Sequence, residues 1–250
     1  MQQYFVAGQA QDVVTITDKD TVKHMFNVMR LTEDEEVVLV FDDHIKRLAK
    51  VIDSAEHCFE IIEELLDSNV EMPVEVTIAA GFPKGDKLEF LAQKGTELGM
   101  ANLWAFPADW SVVKWDGKKL AKKADKLAKI ALGAAEQSKR NVIPQVTLFE
   151  KKATFMAELE QFDKIFIAYE DSAKEGETAV LARELSQVKA GEKILFIFGP
   201  EGGISPEEIA AFEEKGGLKI GLGPRIMRAE TAPLYALSSV SYALELLKQE

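Results

Sequence analysis

The stretch Lys193-Ile194-Leu195-Phe196-Ile197-Phe198-Gly199-Pro200-Glu201-Gly202-Gly203-Ile204-Ser205-Pro206-Glu207-Glu208 decides the fold. After its opening lysine the first part is wholly apolar. That is the pattern of a strand covered on both faces of a parallel sheet, not of one with a wet face. The end of the stretch opens a helix: Ser205 is an N-cap, Pro206 takes the first helical position, and Glu208 completes a capping box. Between strand and helix lie three glycines, which let backbone amides approach a bound molecule closely. Loops at the carboxyl ends of parallel strands are where such sheets bind ligands. A tight strand–helix turn would use glycine in the same way. Glu201, an acid among these glycines, argues against a simple phosphate cradle.

A second loop has the same placement. Leu218-Lys219-Ile220-Gly221-Leu222 reads as a strand, and Gly223-Pro224-Arg225-Ile226-Met227-Arg228-Ala229-Glu230 leads to a helix with Thr231 as candidate N-cap. Two such loops after consecutive parallel strands point to a shared site, although solvated surface charge is the plain alternative.

Working outward, strands alternate with helices from residue 74 on. Val74–Ala80, Leu103–Phe106 and Lys164–Tyr169 read as strands; Asp86–Leu98, Lys118–Gln137, Thr178–Gln187 and Ala232–Lys248 read as helices. Gly99 is placed to end the first of these helices. Alternation of this kind predicts an α/β domain with a parallel sheet covered on both faces. Residues 1–70 differ. Tyr4–Val6, Val13–Ile16, Glu36–Phe41 and Arg47–Ile52 are β-rich and separated by polar turns, with one short helix over Asp20–Met29. A small β-barrel or sandwich is predicted there. Met72-Pro73 marks the boundary, because proline holds its predecessor extended. The predicted domains are 1–72 and 73–250.

The 250 residues carry a net charge of −12, unevenly spread. Residues 1–73 hold 6 Lys/Arg against 16 Asp/Glu, whereas residues 114–152 hold 11 against 4. The overall charge argues against non-specific coating of nucleic acid, but the basic island leaves one surface able to take a polyanion. In the helix 118–137, Leu120, Ala124, Leu127, Ala131 and Ala135 share one face, and Lys119, Lys122, Lys126 and Lys129 line another. Such a row can follow a phosphate backbone, or it can be a solvated face. One cysteine excludes a disulfide framework, and three histidines leave little for zinc, so no metal is expected. No apolar run approaches a membrane span. Met1–Phe5 shows no basic segment before an apolar one, so no secretory signal is expected and a cytoplasmic, soluble protein is. The chain has no G-x-G-x-x-G fingerprint, no P-loop and no G-x-S-x-G elbow, which removes the usual signals for dinucleotide, nucleoside triphosphate and serine-hydrolase sites.

At the two glycine-bearing loops the chain resembles the RsmE-type 16S ribosomal RNA (uracil-N3)-methyltransferases of the SPOUT superfamily. The resemblance extends to Pro83–Lys87, Gln93–Gly99, Ala134–Ser138 with Arg140 and Pro144, and to His24 and Val28–Arg30 near the N-terminus. Two departures stand out: Gln2-Gln3 replace basic residues before the paired aromatics, and Trp110 stands where an arginine commonly precedes Ser111-Val112-Val113.

The resemblance implies an N-terminal PUA-like β-barrel and a C-terminal α/β SPOUT domain with a trefoil knot. It implies a homodimer that binds S-adenosylmethionine and acts on 16S ribosomal RNA or the small ribosomal subunit. Cofactor contacts are expected at Phe198, Gly199, Pro200, Glu201, Gly203, Leu222, Gly223, Ile226, Met227, Arg228, Thr231 and Ala232. RNA contacts are expected at His24, Arg30, Lys84, Lys119, Lys122, Lys126, Lys129, Lys139 and Arg140. Uracil N3 carries a proton and is a poor nucleophile while neutral, so a base or an anion stabiliser is required. Arg228 suits the second task, and Glu201 or Glu230 the first. The alternative is that Arg228 and Glu230 pair and merely shape the loop. The rival functions are a same-fold methyltransferase for another RNA nucleotide and a non-catalytic RNA-binding protein.

Overall fold

The computed structural model describes residues 1–169 and 179–247. The helix start expected at Thr178 and the helix end expected at Lys248 lie outside them. The chain divides into two compact units, residues 1–71 with 135–142, and residues 72–134 with 143–250. The division after Glu71 falls next to the Met72-Pro73 signal. That segment 135–142 belongs with the first unit has no local mark in the sequence.

The first unit is built on five strands: β1 (Gln3–Phe5), β2 (Val13–Thr15), β3 (Glu36–Val40), β4 (Lys46–Asp53) and β5 (Cys58–Glu64). Their order is β1-β3-β4-β5-β2, with β1 parallel to β3 and the other pairs antiparallel. Alternate residues point inward, so Val37, Leu39, Ala49, Val51 and Phe59 bury together with Tyr4 and Met25. The expected short helix is present but wound in two ways. An α-turn, α1 (Lys19–Val22), capped by the Asp18 carboxylate on the Thr21 amide at 2.8 Å, passes into a wider π-turn over Lys23–Val28. Strand β5 has no clear signal in the sequence, because its acids at Glu60, Glu63 and Glu64 interrupt the apolar alternation and only Phe59 is buried in it.

Segment 135–142 is fastened by charge. The Arg140 guanidinium is buried and paired with the Glu71 carboxylate, whose Oε1 also accepts from the Asn141 and Val142 amides at 2.8 and 3.1 Å. The Gln3 side chain donates to the Arg140 carbonyl at 2.6 Å.

The second unit holds six parallel strands among the described residues: β6 (Glu75–Gly81), β7 (Asn102–Phe106), β8 (Gln145–Leu148), β9 (Lys164–Ala168), β10 (Lys193–Phe198) and β11 (Gly217–Ile220). The order is β11-β9-β10-β6-β7-β8. Helices α2 (Lys87–Glu97), α3 (Gly117–Gln137), α4 (Lys152–Ala157), α5 (Ala179–Ser186), α6 (Pro206–Glu214) and α7 (Ala232–Ser241) connect or flank them. The apolar run of β10 is explained directly. Leu195 and Ile197 enter one core with Phe106, Phe155 and Phe212, while Ile194, Phe196 and Phe198 enter the core on the opposite face. Phe106 and Phe155 stack at 4.2 Å between centroids. Helix α2 ends as expected, with Leu98 as C-cap and Gly99 at φ +89°. The short β8 and α4 carry too few residues for a periodic signal in the sequence.

From β6 the chain runs outward through β7 and β8, then crosses to β9, and β10 returns between β9 and β6. The carboxyl ends of β6 and β10 therefore lie where strand order reverses, the position where open parallel sheets bind ligands. Among the described residues no helix is long and apolar enough to cross a membrane, and no group of three or more potential metal ligands forms.

Candidate active site

The loop after β10 folds back on itself. The Gly203 amide donates to the Pro200 carbonyl at 2.9 Å, and Gly203 sits at φ +84°. A Cβ built on Gly199 would lie 2.4 Å from the Gly203 carbonyl carbon, so glycine at 199 is demanded by the loop's own backbone. The expectation that Gly199 is small for the sake of a ligand is thus incomplete.

Beyond the glycines the predicted capping box forms in full. Ser205 Oγ accepts from the Glu208 amide at 3.1 Å, and Glu208 reaches back to the Ser205 amide at 3.3 Å. A second layer of charge holds it. Ser205 Oγ donates to Asp109 at 2.6 Å, the Asp109 amide donates to Glu208 at 2.9 Å, and Lys152 pairs with both Asp109 and Glu208. The Lys152 ammonium, helped by the Ser205 hydroxyl, holds the Asp109 carboxyl below the usual carboxylate range.

The loop after β11 is more open. Gly223 sits at φ +90°, and a Cβ built there would meet nothing nearer than Tyr235 Oη at 3.7 Å. The Arg228 carbonyl accepts from the Thr231 and Ala232 amides, which starts α7. Thr231 occupies the N-cap, but its side chain makes no capping hydrogen bond and its backbone is already helical, so its predicted capping role does not hold.

The two loops face a common cavity of about 910 Å³. Of the predicted cofactor residues, Phe198, Gly199, Pro200, Glu201, Gly203, Leu222, Gly223, Ile226, Met227, Arg228 and Ala232 line it; Thr231 does not. Ala168 and Tyr169 at the end of β9, Trp110, and Lys87 at the start of α2 also line it, and none of these four is among the residues expected to hold the cofactor. Trp110, half exposed, packs against Gly202, where an added Cβ would lie 3.1 Å from the Trp110 Cβ.

Lys87 joins the two loops. Its Nζ lies 2.9 Å from Glu201 Oε1 and 3.3 Å from Glu230 Oε2. The Lys84 amide also donates to Glu201 Oε1, at 3.0 Å. Burial pushes the Glu201 carboxyl up, but the Lys87 ammonium and the amides beside it outweigh this and hold it below its ordinary value. The same partners, Glu201 first, raise the Lys87 ammonium. Glu230 Oε2 is buried and close to Nζ, yet makes no hydrogen bond. The side chain of Arg228 is exposed and forms no ion pair with Glu230; the acid's cation is Lys87.

The predicted RNA residues separate into two groups. Lys119, Lys122, Lys126 and Lys129 are exposed along α3, with Lys126 paired to Glu89 at 2.7 Å. Lys84, Lys139, Arg30 and His24 are exposed as well. His24 lies in the π-turn and shares a 3.2 Å contact with Tyr4 Oη, and Arg30 follows that turn. Arg140 is instead buried on Glu71, which takes its guanidinium off the surface. The basic island of the sequence therefore overstates the charge presented to a polyanion.

Comparison with known proteins bears on this architecture. An RNA methyltransferase domain family matches residues 70–241, and an RNA methyltransferase PUA domain matches residues 16–63. The ribosomal RNA small subunit methyltransferase E of Bacillus subtilis is 42% identical over 256 residues, covering 99% of each chain. The chain belongs to the ribosomal RNA small subunit methyltransferase E family. Two solved structures agree with the fold throughout. The small subunit methyltransferase E of Neisseria gonorrhoeae, bound to S-adenosyl methionine, matches with a TM-score of 0.79 at 25% identity over 97% of both chains. A Legionella pneumophila methyltransferase with bound SAM matches with a TM-score of 0.80 at 28% identity, over 96% of this chain and 97% of that one. Membership of the methyltransferase E family accounts for the PUA domain in the first unit and for the parallel-sheet domain in the second.

Proposed function

We propose that this chain transfers the methyl group of S-adenosylmethionine to N3 of a uracil in 16S ribosomal RNA of the small subunit. The observation that carries the reading is the cavity between the loops after β10 and β11. Its contents suit that cofactor. Leu222, Ile226, Met227 and Phe198 give an apolar bed for a flat base, and Gly203 and Gly223, both at positive φ, present backbone without side chains. The volume lies within the range of small-molecule sites. Glu201 and Glu230 share the single Lys87 ammonium, so this cluster of two carboxylates and one cation keeps a net negative charge beside the cavity, which favours a cationic ligand.

When bound, the cofactor supplies an electrophilic methyl group on a positively charged sulfur. The chain's residues must orient the uracil, remove the N3 proton and hold the resulting charge. Glu201 lines the cavity, is kept ionised by Lys87 and accepts the proton in this reading. The same stabilisation makes it a weak base, so Arg228 carries more of the burden by facing the developing uracil anion. Glu230 does not line the cavity, and its task is to hold Lys87.

The reading also includes a knotted C-terminal domain, a homodimer and a cytoplasmic location, and family resemblance is what supports them. The apolar Tyr235, Tyr242 and Leu246, exposed along the C-terminal helical segment, support a partner surface. The exposed lysines of α3 and the PUA-family unit support RNA as the partner. Calorimetry with S-adenosylmethionine tests the cofactor, and mass mapping of ribosomal RNA from a deletion strain tests the product. Wild-type levels of 3-methyluridine in that strain would overturn the assignment.

A further inference from the structure

Lys87 stands at the first position of α2, where the helix dipole favours an acid over a cation. Local structure gives no reason for a lysine there. Its reason lies far away in the chain. The ammonium reaches one carboxylate on the loop after β10 and another on the loop after β11. These loops leave strands that are not neighbours, since β9 lies between β10 and β11, and α2 follows β6 on the other side of β10. No backbone ladder ties the loops together at this point.

We propose that Lys87 is a positioning residue that sets the gap between the two loops by sharing one ammonium between Glu201 and Glu230. The inference rests on the reading of the cavity as a cofactor site. The two acids are drawn to one point by one cation, so the cluster holds two carboxylates and a single ammonium. Removing the cation leaves two acids that repel at short range in a partly desolvated place. The damage then exceeds that of one broken ion pair: the loops are pushed apart. This predicts suppression, because neutralising one acid in a chain that lacks Lys87 removes the repulsion.

The test is calorimetric affinity for S-adenosylmethionine, with the melting temperature of the unliganded protein measured beside it. Lys87→Met should weaken binding by about thirtyfold, the low end for truncating one partner of a charge pair because these side chains keep some solvent. Adding Glu230→Gln to Lys87→Met should restore affinity to within about threefold of wild type, and Lys87→Arg should retain it. A side chain that merely fills space would give additive losses in the double variant and no rescue by arginine. Wild-type affinity in Lys87→Met, or a double variant as weak as the two single losses combined, overturns the proposal. If Lys87→Met fails to fold, the double variant must fold and bind, or the proposal falls. If the wild-type protein binds no cofactor, the proposed function fails instead, and the order of the unliganded melting temperatures still decides the pairing: the double variant must melt above Lys87→Met.

Discussion

Gly199 and Gly203 approach so closely that any side chain on the first would collide with the backbone of the second, at 2.4 Å from its carbonyl carbon. The approach is between backbone atoms, which cannot rotate away. Replacing Gly199 by Ala should therefore destabilise the fold by roughly 1–3 kcal/mol, the usual cost of overpacking. Thermal denaturation without any ligand measures it. An unchanged melting temperature would show that the loop opens freely. Gly223, with open space beside it, should behave differently: alanine there costs backbone strain at φ +90°, but no collision.

The Ser205 cap is a stability element beside a functional one. Ser205→Ala removes a side chain that accepts from Glu208 and donates to Asp109. A lost N-cap costs about 1 kcal/mol. Lys152→Met should cost more, because Glu208 is almost wholly buried and loses its cation while Asp109 remains beside it. Urea denaturation of both variants checks the order, and equal losses would contradict it.

The parts of this fold legible in the sequence are those written in neighbouring residues. The run Ile194–Phe198, the Ser205–Glu208 box and the Gly99 cap each lie within a few residues, and the structure forms all three. The two glycine-bearing loops that line the cavity are legible for the same reason. The Lys87–Glu201–Glu230 cluster is not, because its members are brought together only by strand order. Its one local trace is a cation at a helix start. Arg140 misleads in the opposite sense: it reads as the end of a basic run, and only Glu71, distant in sequence, turns it inward.

A titration is predicted in the first unit. Burial raises the Glu136 carboxyl from its ordinary 4.5 to about 7, despite opposing help from the Phe5 backbone and Lys139. The native state then holds a proton that the unfolded chain releases between those values. Stability is full below about pH 4.5, falls as pH rises through that window, and levels off above about 7. Glu136→Gln should flatten this dependence and gain stability at pH 8 relative to wild type. Chemical denaturation at pH 5 and pH 8 checks it, and an equal pH dependence in both proteins would refute it.

The α3 lysines should be unequal. Lys119 and Lys122 are exposed, whereas Lys126 already holds Glu89. Each phosphate that a lysine no longer neutralises should lower the salt slope of RNA binding by roughly 0.7–0.9. Lys119→Gln with Lys122→Gln should flatten the slope by about twice that amount, and Lys126→Gln by less. Cofactor affinity should not change. An unaltered slope would make this row a solvated face.

Arg228 is where the chemistry of the reading is most exposed to test. Arg228 is an exposed residue of the cavity wall with no ion pair to Glu230, so its charge is available to a ligand rather than consumed within the loop. A uracil losing its N3 proton spreads negative charge onto the flanking carbonyl oxygens. A guanidinium stays charged at any working pH and offers two parallel donors to such an anion. Loss of one transition-state donor typically costs on the order of 100- to 1000-fold in rate. Arg228→Ala should therefore lose turnover by about that factor and still bind cofactor, since the glycines and the apolar Phe198, Leu222, Ile226 and Met227 of the wall are left in place. Arg228→Lys should recover only part, because it keeps the charge but not the planar fork. Single-turnover methylation of small-subunit particles, read beside cofactor affinity, separates the cases. A wild-type rate in Arg228→Ala would remove it from the chemistry and make Arg225, the other exposed arginine of the same loop, the next residue to change.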